Sequence, residues 1–318
     1  RSYWALVLGT LVGAGCGLIL SYVMHSMRPR FSLKCWRQIF SVSQWMLINS
    51  IGNYFNNNLH KIFVGRIADS SVMGGYSLAD EISRMPSGEL LSPINRVLFP
   101  AFSAVKHNLT ELKRLFLLAQ GVQTLIAIPA SVGLMLVAHE AVYVLLGEKW
   151  LFVIPFLQIL VLANVFQAIT TSGSYVIITL GYFRNATIVT WLQVAIFGVL
   201  FITFYTDSVQ SVALLRVSSI ACGFSFVVYL VMRCLPELKI SDVIQTVYRP
   251  LVATTTMYFV VANIYNFFTF TDVIALVSKI ITGVVVYSLT ILLLWCIAGR
   301  PDGAEKYILS KILFKRKT

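Results

Sequence analysis

Six stretches of this chain, residues 3–24, 115–138, 151–183, 185–206, 250–271 and 280–299, contain no Asp, Glu, Lys or Arg. Each has about 20 residues or more, enough for a helix to cross the ~30 Å hydrocarbon core of a bilayer. Three further segments, 41–68, 73–105 and 209–235, are long and apolar but carry embedded charges. The pattern predicts an all-α integral membrane protein with about nine transmembrane helices, because a backbone in lipid must satisfy its own hydrogen bonds. Short alternating strands are missing, which excludes a barrel. Composition agrees: 58% of residues are hydrophobic and 12% charged, against about a quarter charged in soluble domains.

The net charge of +12 raises the question of nucleic acid, but its placement answers it. Arg28, Arg30, Lys34 and Arg37 share one connection, Lys106, Lys113 and Arg114 another, and Arg184, Arg233, Lys239 and Arg249 follow later. The tail adds Arg300, Lys306, Lys311, Lys315, Arg316 and Lys317. The intervening connections hold Lys149 alone or no cation at all, as in 205–210 and 267–272. Such alternation is the positive-inside pattern, so the basic loops and the C-terminus are expected in the cytoplasm and no nucleic-acid partner is expected.

Other features read as structural. Cys16, Cys35, Cys222, Cys234 and Cys296 lack metal or redox spacing and are expected to pack. Gly9, Gly13 and Gly17 repeat every four residues, which suits close helix approach. Residues 28–38 read as a short interfacial helix, and Gly147 as a helix stop in the outer loop 139–150. His25, His60, His107 and His139 have no metal spacing, and no nucleophile or phosphate-loop motif occurs, so neither an enzyme nor a cofactor is expected. A first helix starting at residue 3, with no initiating Met, suggests the C-terminal part of something longer.

The stretch NSIGNYFNNNLHK, 49–61, is the anomaly. At ~100° per residue, Asn49, Asn53, Asn56, Asn57, His60 and Lys61 fall within an arc of about 140°. Lipid cannot accept such an arc, since each unsatisfied amide costs several kcal/mol. The next helix is complementary: Ser77, Glu81, Arg84, Gly88 and Asn95 lie within about 80°, flanked by Asp80 and Arg96. Asp80 and Glu81 stand four and three residues before Arg84, so an intrahelical ion pair is available. Pro86, Pro93 and Pro100 should bend that helix. Together the two helices predict a hydrated cavity. Arg216 is expected either to pair inside the bundle or to line the cavity, and Lys279 to reach an interface. The bland alternative is interhelical packing by amides, with Arg84 and Glu81 as a closed pair.

YSLADEISRMP (76–86), SPINRVLFPAFSAV (92–105), LGEKW (146–150), FVGRIADSSVMGGYS (63–77) and LGYFRNAT (180–187) resemble the bacterial oligosaccharide flippases of polysaccharide biosynthesis. Those share a superfamily with multidrug-and-toxin extruders and the lipid II flippase. The resemblance implies a two-lobe exporter fold, here incomplete. Residues 1–24 would be the last helix of the first lobe and 25–40 a basic interlobe linker. A second six-helix lobe would span 41–235, a linker and two appended helices 236–299, and a cytoplasmic tail 300–318.

It also implies a function, moving undecaprenyl-diphosphate-linked oligosaccharide across the bacterial cytoplasmic membrane. Membrane lipids, a polymerase and glycosyltransferases are the implied partners. For such a substrate the asparagines would meet sugar hydroxyls, Arg84 or Lys61 the diphosphate, and Asp80 or Glu81 would govern release. This chain has His60 where the family often carries Asp, and Asp80 where it often has an apolar residue, leaving the coupling ion, H+ or Na+, open. The rivals are a drug/cation antiporter of the same superfamily and a membrane polymerase or ligase.

Overall fold

The computed structural model describes residues 4–24, 36–267, 272–300, 303–307 and 310. All regular structure there is helical. The order is α1 (Trp4–Met24), α2 (Trp36–Ile67), α3 (Ser70–Gly88), α4 (Ser92–Val105), α5 (Leu109–Leu136), α6 (Ala138–Leu146), a 3-10 helix (Glu148–Val153), α7 (Ile154–Thr179), α8 (Phe183–Phe204), α9 (Val209–Cys234), α10 (Ile240–Phe267) and α11 (Asp272–Ile297). Residues 1–44 form one unit and 45–318 a second. The first contains α1, whose 21 residues carry no charge. Most of the 25–40 linker and of the 300–318 tail lies outside the described residues, as does His25.

Within the second unit α7 is the central post, packing on α9, α5 and α3. Its sequence explains that position. No residue from Ile154 to Thr179 is charged, and buried side chains such as Phe156, Leu160, Ala163, Ile169 and Val176 occur all round it. A helix apolar on every face belongs inside. The boundaries follow local chemistry. Asn108 caps α5 by accepting from Glu111 N–H at 3.1 Å, and Ser208 caps α9 by accepting from Ser211 N–H at 3.2 Å. Gly147, at φ +88°, ends α6 where a stop was expected.

Among the described residues, six helices are long and apolar enough to cross a membrane: α1, α5, α7 with its preceding 3-10 turn, α8, α9 and α11. Three expectations need correction. The segment 73–105 is two helices, broken at Glu89–Leu91, rather than one bent rod. Pro86 and Pro93 flank the break, each removing a donor to the carbonyl four residues earlier, so the ladder fails across that turn. Helix α10 begins at Ile240, ten residues before the charge-free run, because the half-buried Asp242 pairs with Lys113 at 2.7 Å, Thr246 donates to the Asp242 carbonyl at 2.8 Å, and Pro250 is accommodated inside the helix. Lys279 does not simply reach for an interface: its Nζ lies 2.5 Å from Glu140 Oε1, joining α11 to the start of α6.

Two hydrophobic clusters divide this unit by height. One joins Val64 and Tyr76 to Leu157, Val161, Phe197, Val212 and Leu215. The other joins Phe102, Leu112 and Phe116 to Val176, Val189, Val227 and Val231. Along α7, α8 and α9 alike, the stretches between the clusters include polar or small residues among the apolar ones: Asn164, Ala168 and Ser172; Gln193; Arg216, Ser219 and Gly223. The bundle is greasy toward both ends and polar at mid-height, which fixes where a cavity can form.

Candidate functional site

The cavity lies in that polar layer. It holds about 370 Å³ between α2, α7, α8 and α9. Asn49, Asn53, Asn56 and Asn57 line it from α2, Gln167, Thr170, Thr171 and Ser174 from α7, Thr190 and Gln193 from α8, and Arg216 from α9. The amide stripe read from the sequence therefore faces one hollow, and it does so because 49, 53, 56 and 57 share a face of a regular helix.

Some of these groups are engaged and others open. Thr190 Oγ1 donates to Asn49 Oδ1 at 2.9 Å. Asn56 makes two contacts: its Nδ2 donates to Gln193 Oε1 at 3.0 Å, and its Oδ1 accepts from an Arg216 N–H at 2.9 Å. Thr171 and Ser174 donate to carbonyls of their own helix, Gln167 O at 2.7 Å and Thr170 O at 3.2 Å, which leaves hydroxyl lone pairs facing the hollow. The side-chain amides of Asn53 and Asn57 make no hydrogen bond among the described residues. The lining thus offers both donors and acceptors to a ligand.

The other candidates gather in a separate, closed arrangement. Asp80, 4% exposed, is approached by Lys61 Nζ at 2.7 Å and by an Arg84 terminal N–H at 2.9 Å, while Arg84 Nε donates to its other oxygen at 3.2 Å. Both Arg84 donors hydrogen-bond the same Asp80 oxygen, at 3.2 Å each, and the second oxygen is met by charge alone, so the pair depends on both cations staying in place. Arg84 also donates to Asn57 O at 3.2 Å. His60 is buried between Tyr76 OH, 2.8 Å from its Nδ1, and Asn57 O, 3.0 Å from its Nε2. This knot ties α2 to α3.

The predicted residues thus fall into two groups, with Glu81 outside both. The four asparagines meet at the cavity; His60, Lys61, Asp80 and Arg84 meet at the knot; Glu81 is exposed. Asn95, expected on the same stripe, lies beyond the helix break and accepts from Gln123 Nε2 at 2.8 Å. The intrahelical pair uses Asp80 rather than Glu81, being four residues from Arg84 and turned toward Lys61.

Sequence reasoning missed the α7 wall, although the signal was present: Gln167, Thr170, Thr171 and Ser174 follow the i, i+3, i+4, i+7 spacing of one helix face. It also ranked Arg216 below Arg84. Asn164 was likewise unmarked. Its Nδ2 donates to Ser83 O and its Oδ1 accepts from Ser87 Oγ at 2.8 Å, bridging the turn of α3 that Pro86 disrupts.

The helix arrangement and the mid-height polar cavity define a multi-pass membrane protein with an exporter-type fold. The lipid II flippase MurJ, in an inward closed conformation, superposes over 89% of this chain and 59% of its own, with a TM-score of 0.67 at 18% identity. Residues 1–155, just under half of the chain, match the family described as polysaccharide biosynthesis protein. Among curated proteins, the chain is similar to the lipopolysaccharide biosynthesis protein WzxC of Escherichia coli K12. It is 34% identical over 175 residues, which cover 52% of this chain and 36% of WzxC. The succinoglycan biosynthesis transport protein ExoT of Rhizobium meliloti is 27% identical over 164 residues, covering 51% of this chain and 33% of ExoT. The chain spans about a third of the length of these two relatives. The resemblance first read from 63–77, 76–86, 92–105 and 146–150 falls within the family match.

Proposed function

We propose that this chain forms one wall of a flippase that carries an oligosaccharide linked to undecaprenyl diphosphate across a bacterial cytoplasmic membrane. The observation that carries the reading is the cavity: about 370 Å³, with amides and hydroxyls contributed by α2, α7 and α8 and the Arg216 guanidinium by α9. A sugar offers a hydroxyl at nearly every carbon, and each one stripped of water needs a partner. Paired donors and acceptors supply those partners; an apolar drug would leave them unsatisfied. In the same reading nine helices span the bilayer, with α2, the α3–α4 pair and α10 completing the count, and residues 41–235 act as a lobe that rocks around the site. The basic tail then faces the cytoplasm, and a polymerase and glycosyltransferases act on the same glycan.

A drug/cation antiporter would need an acid open to the cavity. The lining contains none, and the nearby buried Asp80 is held by Lys61 and Arg84. The test is binding of an undecaprenyl-diphosphate oligosaccharide to the chain in nanodiscs, followed by native mass spectrometry. Asn53→Leu combined with Asn57→Leu should lower occupancy at least tenfold with helicity unchanged. Equal occupancy in that variant would contradict the assignment.

A further inference from the structure

Three cations and one buried carboxylate lie around the polar layer, and their division is uneven. Lys61 and Arg84 both close on Asp80, at 2.7 and 2.9 Å. Arg216 is 7% exposed, lines the cavity, and among the described residues has no carboxylate oxygen within 4 Å; its hydrogen-bonding partner is the neutral Asn56 at 2.9 Å. A buried guanidinium presents five donors in a planar fork, so one amide oxygen leaves most of it unanswered. Such a group calls for an oxyanion, and the space beside it is the cavity.

The guanidinium is also aimed. Asn56 can accept from Arg216 with its oxygen only while its nitrogen faces Gln193, where it donates at 3.0 Å. Gln193 in turn fits because position 223 is glycine: a Cβ there would collide with the Gln193 side chain. Gly223, Gln193 and Asn56 form a relay across α9, α8 and α2 that sets one orientation of Arg216.

We propose that Arg216 is the oxyanion receptor of this cavity, selecting a carboxylate or phosphate carried on a hydroxyl-rich ligand, and that Gln193 and Gly223 are positioning residues acting through Asn56. The inference rests on reading the cavity as a sugar site. It moves the charge recognition from Arg84 and Lys61, which share the Asp80 carboxylate, to Arg216, which faces none among the described residues. The anion has two sources, an acidic sugar unit or the phosphate joining sugar to lipid. Bidentate guanidinium contacts serve either one.

The experiment is ligand-observed NMR titration of the full chain in nanodiscs with glucose, glucuronate and glucose 1-phosphate. The wild type should bind at least one anionic probe tenfold or more tightly than glucose. A carboxylate preference identifies an acidic sugar as the source and a phosphate preference identifies the linker. Arg216→Gln should remove the preference, bringing the anionic probes to the affinity of glucose in the same variant, and Arg216→Lys should keep only part of it, since an ammonium lacks the fork. Gly223→Ala and Gln193→Leu should each cut the anion-to-glucose ratio several-fold, a change of ratio that general loosening of the bundle would not produce. An anion preference that survives Arg216→Gln, or none in the wild type, overturns the proposal. Failure of all three probes to bind refutes the sugar-site reading, and the receptor role with it.

Discussion

The two polar regions of this molecule lie side by side on α2 and solve opposite problems. In the knot, Lys61 and Arg84 close on the buried Asp80, and His60 bonds Tyr76. In the cavity, a few residues earlier on the same helix, the side-chain amides of Asn53 and Asn57 have no protein partner among the described residues, and across from them Arg216 of α9 bonds Asn56 alone. Charge density is greater in the knot, yet available chemistry is greater in the cavity. The lesson is that an ionisable residue deep in a bundle points to a site only after its partners have been counted. A buried pair already holds its neighbours in register, whereas a buried cation facing amides still has valence to offer.

The comparison can be broken most forcefully at Asp80. Asp80→Ala removes the one acid between two cations, and the uncompensated charge should cost about 3–5 kcal/mol of stability, read by denaturant unfolding in detergent. Adding Lys61→Met and Arg84→Met to that variant should restore most of the loss. If the single change is nearly silent, the knot is not the closed structural element described here.

Asn56 belongs to the cavity but bridges three helices, and should fall between the extremes. Asn56→Ala orphans both Arg216 and Gln193 and is expected to cost about 1–3 kcal/mol in the same assay. Asn164→Ala, which exposes Ser83 O at the α3 kink to a dry environment, should lie in that range too. Asn53→Ala should show the smallest effect on stability, within about 0.5 kcal/mol, while lowering sugar-lipid occupancy. A large loss of stability there would make Asn53 a packing residue and remove the distinction between the regions.

Much of this was legible in the sequence. The spans α1, α5, α7, α8 and α11 followed from uninterrupted apolar runs, and the four cavity asparagines from a single helical arc. What escaped had physical causes. The pairing of Lys61 with Asp80 joins two helices whose relative rotation no local pattern records. The partner of Arg216, Asn56, is 160 residues away. The break at Glu89–Leu91 depends on whether two prolines seven residues apart are absorbed as a bend or end the ladder, and only the packing of Asn164 against Ser83 and Ser87 reveals which. The α7 wall was readable at helical spacing, but Thr and Ser so commonly bond their own helix that they did not stand out from the apolar run around them.

The central claim is that the amide face of α2 borders an accessible, wet hollow while Asp80, His60 and Tyr76 of the knot beside it are buried. Cysteine accessibility in intact membranes tests this directly. In a background with the native cysteines replaced, a charged methanethiosulfonate reagent should label Asn53→Cys rapidly and Ala79→Cys, at a position 0% exposed beside the knot, far more slowly. Prior addition of sugar-lipid should protect the first. Equal labelling of the two positions, or an unreactive Asn53→Cys, would contradict the account.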